Sequence, residues 1–110
     1  MDKLIKNLPH EVPFNIKDEV QYEEGKVVSL TLAQESGVGM TLFAFDEGEG
    51  VSTHAAPGDA FVNILEGKAL ITIDGKENEV SEGEGIIMPA KIPHAVKAVT
   101  KFKMLLTVVK

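Results

Sequence analysis

Cysteine and tryptophan are absent from this chain, and tyrosine occurs once. Without a thiol there is no disulfide framework, no thiolate nucleophile and no cysteine-based zinc site. That absence fits a reducing compartment. Basic residues are few: 11 Lys and Arg stand against 17 Asp and Glu, for a formal net charge of −6. An acidic chain without a basic, aromatic-studded patch is a poor partner for nucleic acid or an anionic membrane. No apolar run approaches the roughly 20 residues of a membrane helix. The run between Met1 and Pro9 is too short for a signal peptide. The expectation is a cytoplasmic protein with no nucleic-acid or membrane partner. No P-loop, dinucleotide fingerprint or G-x-S-x-G elbow occurs, and no Asp is placed to orient a histidine toward Ser52.

What is present describes one small globular domain. The chain has 110 residues, 44% of them hydrophobic, with 10 glycines and 5 prolines. A chain of this length buries about two thirds of the surface its unfolded form exposes, enough for a single core.

The apolar pattern has period two almost throughout, which predicts strands. Residues 1–24 form an N-terminal arm: Pro9 and Pro13 forbid a continuous helix, Val12, Phe14 and Ile16 suggest an edge strand, and one helical turn is possible near Lys3–Leu8. Residues 25–110 read as the barrel. Val27–Ala33 and Val38–Phe45 flank a Gly-containing turn and predict a hairpin. Phe61–Leu65 and Ala69–Asp74 predict a second around Gly67, and Asp74-Gly75 is a strong two-residue turn signal. Glu77–Val80, Ile86–Met88, His94–Val99 and Phe102–Val109 follow, making about nine short strands. The last is apolar on both faces, so it is either central or part of a subunit contact.

The most informative stretch runs from Gly48 to His94. Gly48, five residues, His54 and then Gly67 match the frame G-x5-H-x-H-x3–4-E-x6-G. Gly83, five residues, Pro89 and His94 match the frame G-x5-P-x-G-x2-H-x3-N. With these two motifs the chain resembles the cupin superfamily. The resemblance implies an all-β, antiparallel jelly-roll barrel (a double-stranded β-helix) with a metal or small-molecule site inside. The departures are specific. The second His of the family falls on Ala56, its Glu on Ala60, its glycine on Lys91 and its Asn on Ala98. His54 and His94 are what remains of four usual ligands.

Extended backbone would put Ser52, His54 and Ala56 on one face, and His94, Val96 and Ala98 on another. If both faces point inward, two imidazoles share an apolar cavity. Three readings stay open. In the first, His54 and His94 hold a divalent transition metal such as Zn, Fe, Ni, Mn or Cu, with Asp59 as third ligand if the Pro57-Gly58 turn rotates it inward; His10 on the arm is a more distant candidate. That site would serve an enzyme of isomerase or dioxygenase type, as the resemblance implies. In the second, the histidines orient an organic ligand or act as acid and base in a metal-free pocket. Lys91 would draw a carboxylate to its mouth, and Met40 and Phe43 would wall it. Here the protein is a binding or regulatory module. In the third, both histidines are satisfied core residues.

Met88, Met104, Phe45 and Phe61 join Met40 and Phe43 as expected lining and core. The acidic run Asp46–Glu49 lacks calcium-loop spacing and reads as a solvated turn. Apolar surface on the arm and last strand, together with the resemblance, implies a homodimer.

Overall fold

The computed structural model of the chain describes residues 3–110. It contains nine strands: β1 (Val27–Gln34), β2 (Val38–Phe45), β3 (Gly50–His54), β4 (Asp59–Glu66), β5 (Lys68–Ile73), β6 (Lys76–Ser81), β7 (Gly85–Met88), β8 (His94–Ala98) and β9 (Phe102–Val109). They form a five-stranded sheet in the order β1-β2-β9-β4-β7 and a four-stranded sheet in the order β3-β8-β5-β6. All neighbouring strands are antiparallel. The fold is the expected all-β jelly roll.

The β1–β2 and β5–β6 connections are hairpins, and every other connection passes from one sheet to the other. The β5–β6 turn uses Asp74 and Gly75 at φ 51° and 80°, the positive pair of a tight two-residue hairpin. The expected hairpin of Phe61–Leu65 with Ala69–Asp74 does not form. Its first half lies in β4 of the larger sheet and its second in β5 of the smaller. Gly67 makes this corner at φ +80°, where a side chain would overlap the Lys101 carbonyl and come within 2.8 Å of the Phe102 Cβ. The corner is therefore open only to glycine.

The inner faces of the two sheets enclose the core. Phe45 and Phe102 are fully buried and stack at 4.5 Å with an 11° interplanar angle. Burying each ring contributes about 2–3 kcal/mol. Val62, Ile64, Ile71, Met88, Val96 and Met104 complete this layer. Strand β9 lies between β2 and β4, so its two apolar faces follow from a central position.

The outer face of the larger sheet carries a second apolar cluster. Leu32, Leu42 and Ala44 are buried beneath Val20, Leu8, Ile16 and Tyr22 of the arm. Met40 belongs to this cluster and not to the barrel interior, because alternation along β2 sends it to the face opposite Phe43 and Phe45. Phe61 likewise faces outward and is exposed. The arm itself has neither the expected strand at Val12–Ile16 nor a helical turn near Lys3–Leu8; its regular element is a 3-10 turn at Ile16–Glu19. The first two arm residues lie outside the described residues.

Polar contacts fasten the arm. The Lys6 backbone N–H donates to the Leu32 carbonyl at 2.6 Å, and Asn7 Nδ2 donates to Thr31 O at 2.7 Å. Lys103 Nζ, on buried β9, donates to the Lys17 carbonyl at 2.6 Å and lies 4.0 Å from Glu66 Oε2. The Tyr22 hydroxyl donates to the same Glu66 oxygen at 2.5 Å, and its ring lies 4.9 Å from Lys103 Nζ. Burial, the bond to Glu66 and the charge of Glu66 all push the Tyr22 hydroxyl pKa up.

Candidate functional site

The site lies between the sheets at the end of the β3–β8 ladder. His54 and His94 are direct cross-strand partners, and their rings meet edge to face at 4.4 Å. The next paired residues along the ladder are Val51 and Val96. Three steps on β3 therefore match two on β8, which is a one-residue bulge. The bulge overturns the simple alternation: His54 lines the interior, Ser52 and Thr53 line a depression on the outer face of the smaller sheet, and Val51 borders both.

The interior cavity measures about 190 Å³. Val51, His54, Ala56, His94 and Val96 wall it from one side, and Phe43, Phe45, Ala60, Met88, Met104, Leu106 and Val108 from the other. No charged side chain lines it among the described residues. His94 is buried and His54 exposed, so one imidazole forms the wall and the other the rim. Ala56, Leu106 and Val108 also border a neighbouring groove of about 300 Å³.

His54 is fixed by its own strand and His94 by the loop that leads into β8. His54 Nδ1 lies 3.0 Å from the Ser52 carbonyl, and His94 Nδ1 lies 3.2 Å from the Ile92 carbonyl. A carbonyl only accepts, so in both rings Nδ1 carries the proton and donates. Neither Nε2 has a hydrogen-bond partner among the described residues. Burial lowers the His94 pKa from its ordinary value of 6.5; the bond to Ile92 O offsets part of this, and His54 adds a smaller push downward.

The other expected site residues fare differently. Phe43 lines the cavity. Asp59 does not turn inward: its Oδ1 accepts the Ala90 N–H at 2.7 Å, tying β4 to the loop before β8. Lys91 is exposed, lies outside the cavity lining, and adopts φ +67° while its N–H donates to Ala56 O at 2.7 Å. It thus adopts the left-handed backbone that favours glycine, at the position where the second motif frame has glycine. His10 Nε2 bonds the Ile5 carbonyl at 2.8 Å within the arm and stays clear of the cavity. Asp46 braces its turn by accepting the Gly25 and Glu47 N–H groups at 2.7 and 2.9 Å.

Residues 41–110 match the Cupin domain family. The chain is a cupin. Among solved structures this cupin is similar to a protein of unknown function from Streptococcus pyogenes, at 45% identity over 99% of this chain and 96% of that one, with a TM-score of 0.96. It is similar to a cupin superfamily protein from Desulfitobacterium hafniense at 35% identity over 96% of both chains, TM-score 0.91. A cupin 2 conserved barrel domain protein from Leptotrichia buccalis shares 45% identity over 88% of this chain, which spans 47% of that one, TM-score 0.86. No curated protein matches.

Cupins often hold a metal, and the donor set here can be tested against one. Among the described residues no group of three or more His, Cys, Asp or Glu side chains could hold an ion. Both Nε2 atoms are free to ligate, but methyl groups stand at Ala56 and Ala60, and Asp59 is committed to Ala90 N. Two imidazoles fall short of the three protein ligands of a catalytic site. The residues present do not fit a divalent transition metal.

Proposed function

We propose that this cupin binds a small organic molecule in the cavity beside His54 and His94, without a metal. The observation that supports it best is the pairing of two imidazoles, 4.4 Å apart, in the wall of an otherwise apolar cavity of about 190 Å³. Apolar walls with a few convergent polar groups are the usual make-up of a ligand pocket. The larger depression on the outer face of the smaller sheet, about 450 Å³, is lined by Ser52, Thr53, Thr72, Glu77 and Lys97 and lacks such convergence.

The test is a panel of small neutral, anionic and sugar ligands screened by thermal melting, alongside elemental analysis of protein purified without an affinity tag. A ligand that raises Tm in proportion to log concentration, and recovered unchanged, supports a binding module. A ligand that is turned over, with turnover lost in His94→Ala, supports an enzyme built on the same site. Stoichiometric metal lost in His54→Ala would overturn the metal-free reading in favour of a metal-dependent isomerase or dioxygenase.

The same reading makes the protein a cytoplasmic homodimer. Exposed Phe61, Ile87 and Val109 on the uncovered part of the larger sheet, and exposed Leu4, Ile5, Val12 and Phe14 on the arm, support self-association. Sedimentation equilibrium giving a monomer mass at micromolar concentration would contradict it.

A further inference from the structure

The cavity has a polarity of its own, set by which histidine nitrogens are already used. Both Nδ1–H groups donate to backbone carbonyls two residues earlier, Ser52 on β3 and Ile92 in the loop before β8. In a neutral ring that leaves Nε2 as a lone pair. Every other lining side chain is Phe, Val, Ala, Met or Leu and offers no N–H or O–H. The chain contains no arginine, and Lys91 does not line the cavity. With both rings neutral, the cavity presents two acceptors and no side-chain donor.

We infer that the ligand is a neutral single-ring molecule bearing a hydroxyl group, a phenol or small aromatic alcohol, whose O–H donates to the free Nε2 of His94. This deepens the proposed binding function and rests on it. Size sets the ring count: a dry cavity of about 150 Å³ holds one benzene ring, and this one measures about 190 Å³. The walls suit an aromatic body, with Phe43 and Phe45 tilted at 43° to each other and the thioethers of Met88 and Met104 close by. A carboxylate of equal size would meet two lone pairs and no donor, in a site without a cation, and would lose its hydration for nothing in return. Burial of His94 keeps its ring neutral and so keeps Nε2 an acceptor near neutral pH.

The experiment titrates phenol, toluene and benzoate separately into the full chain at pH 7.5, reading the methionine methyl signals of Met88 and Met104 by NMR. Phenol is expected to shift both signals and to bind about fivefold or more tightly than toluene, as one added hydrogen bond allows. Benzoate is expected to bind most weakly. In His94→Leu, and independently in the rim variant His54→Leu, the ranking locates the acceptor: loss of the phenol preference in His94→Leu alone supports the inference. Equal binding of phenol and toluene, or tighter binding of benzoate, overturns the hydroxyl ligand but leaves the binding cavity standing. If none of the three moves either methyl, the cavity reading itself fails with it.

Discussion

At the scale of single residues, His94 sets the behaviour of the site. Its pKa is lowered by burial, so the unfolded chain binds a proton at a pH where the folded chain does not. The stabilising contribution is then full above about 6.5 and is lost as pH falls through the lower folded value. Thermal melts between pH 5 and pH 8 should show Tm rising with pH across that window, and His94→Gln should flatten the rise. A slope unchanged by the substitution would remove His94 as its source. Ala60 is the other decisive residue. It is buried, lines the cavity opposite the histidines, and pairs with Met88 across β7. Ala60→Leu should fill the ligand space and abolish single-ring binding while changing stability by less than about 2 kcal/mol; retained binding would place the ligand elsewhere. The His54–His94 meeting could be read from family spacing because both motif frames are intact. The fate of Asp59 could not, since its partner, the Ala90 N–H, lies 31 residues away.

At the scale of elements, the strands were legible because period-two alternation marks them, and the Asp74-Gly75 hairpin because its chemistry is local. Sheet changes are not local. The Glu66-Gly67-Lys68 link looks like a hairpin turn, yet β4 finds its partners in β7 and β9, and β5 in β6 and β8. Gly67→Ala should cost about 2–4 kcal/mol, because positive φ and steric overlap act together there; denaturant melts would measure it, and a loss under about 1 kcal/mol would show that the corner relaxes. The β3 bulge was equally hidden, and with it Val51's place in the cavity. The arm carries an alternation of Val12, Phe14 and Ile16 that suggests a strand, yet no strand pairs with it among the described residues and its backbone stays irregular. Its anchors, Tyr22, Glu66 and Lys103, come from the arm, β4 and β9. Lys103→Ala should destabilise by about 2–4 kcal/mol, since it leaves the Glu66 carboxylate without its cation. Limited proteolysis should then cut the arm first; protection equal to wild type would mean its other contacts, apolar and backbone, suffice to hold it.

At the scale of the whole molecule, two sheets of unequal width close over one apolar interior, and the arm covers part of the outer face of the wider sheet. His54 stands against His94, and Ala56 and Ala60 line the cavity beside them. The direct test is a crystal structure of untagged protein soaked with phenol, with anomalous data collected at transition-metal edges. A planar ring should appear between Phe43, Met88 and Val96 with its hydroxyl within hydrogen-bond distance of His94 Nε2, and no anomalous peak beside it. An anomalous peak bridging both Nε2 atoms, or an empty cavity at saturating phenol, would contradict the account.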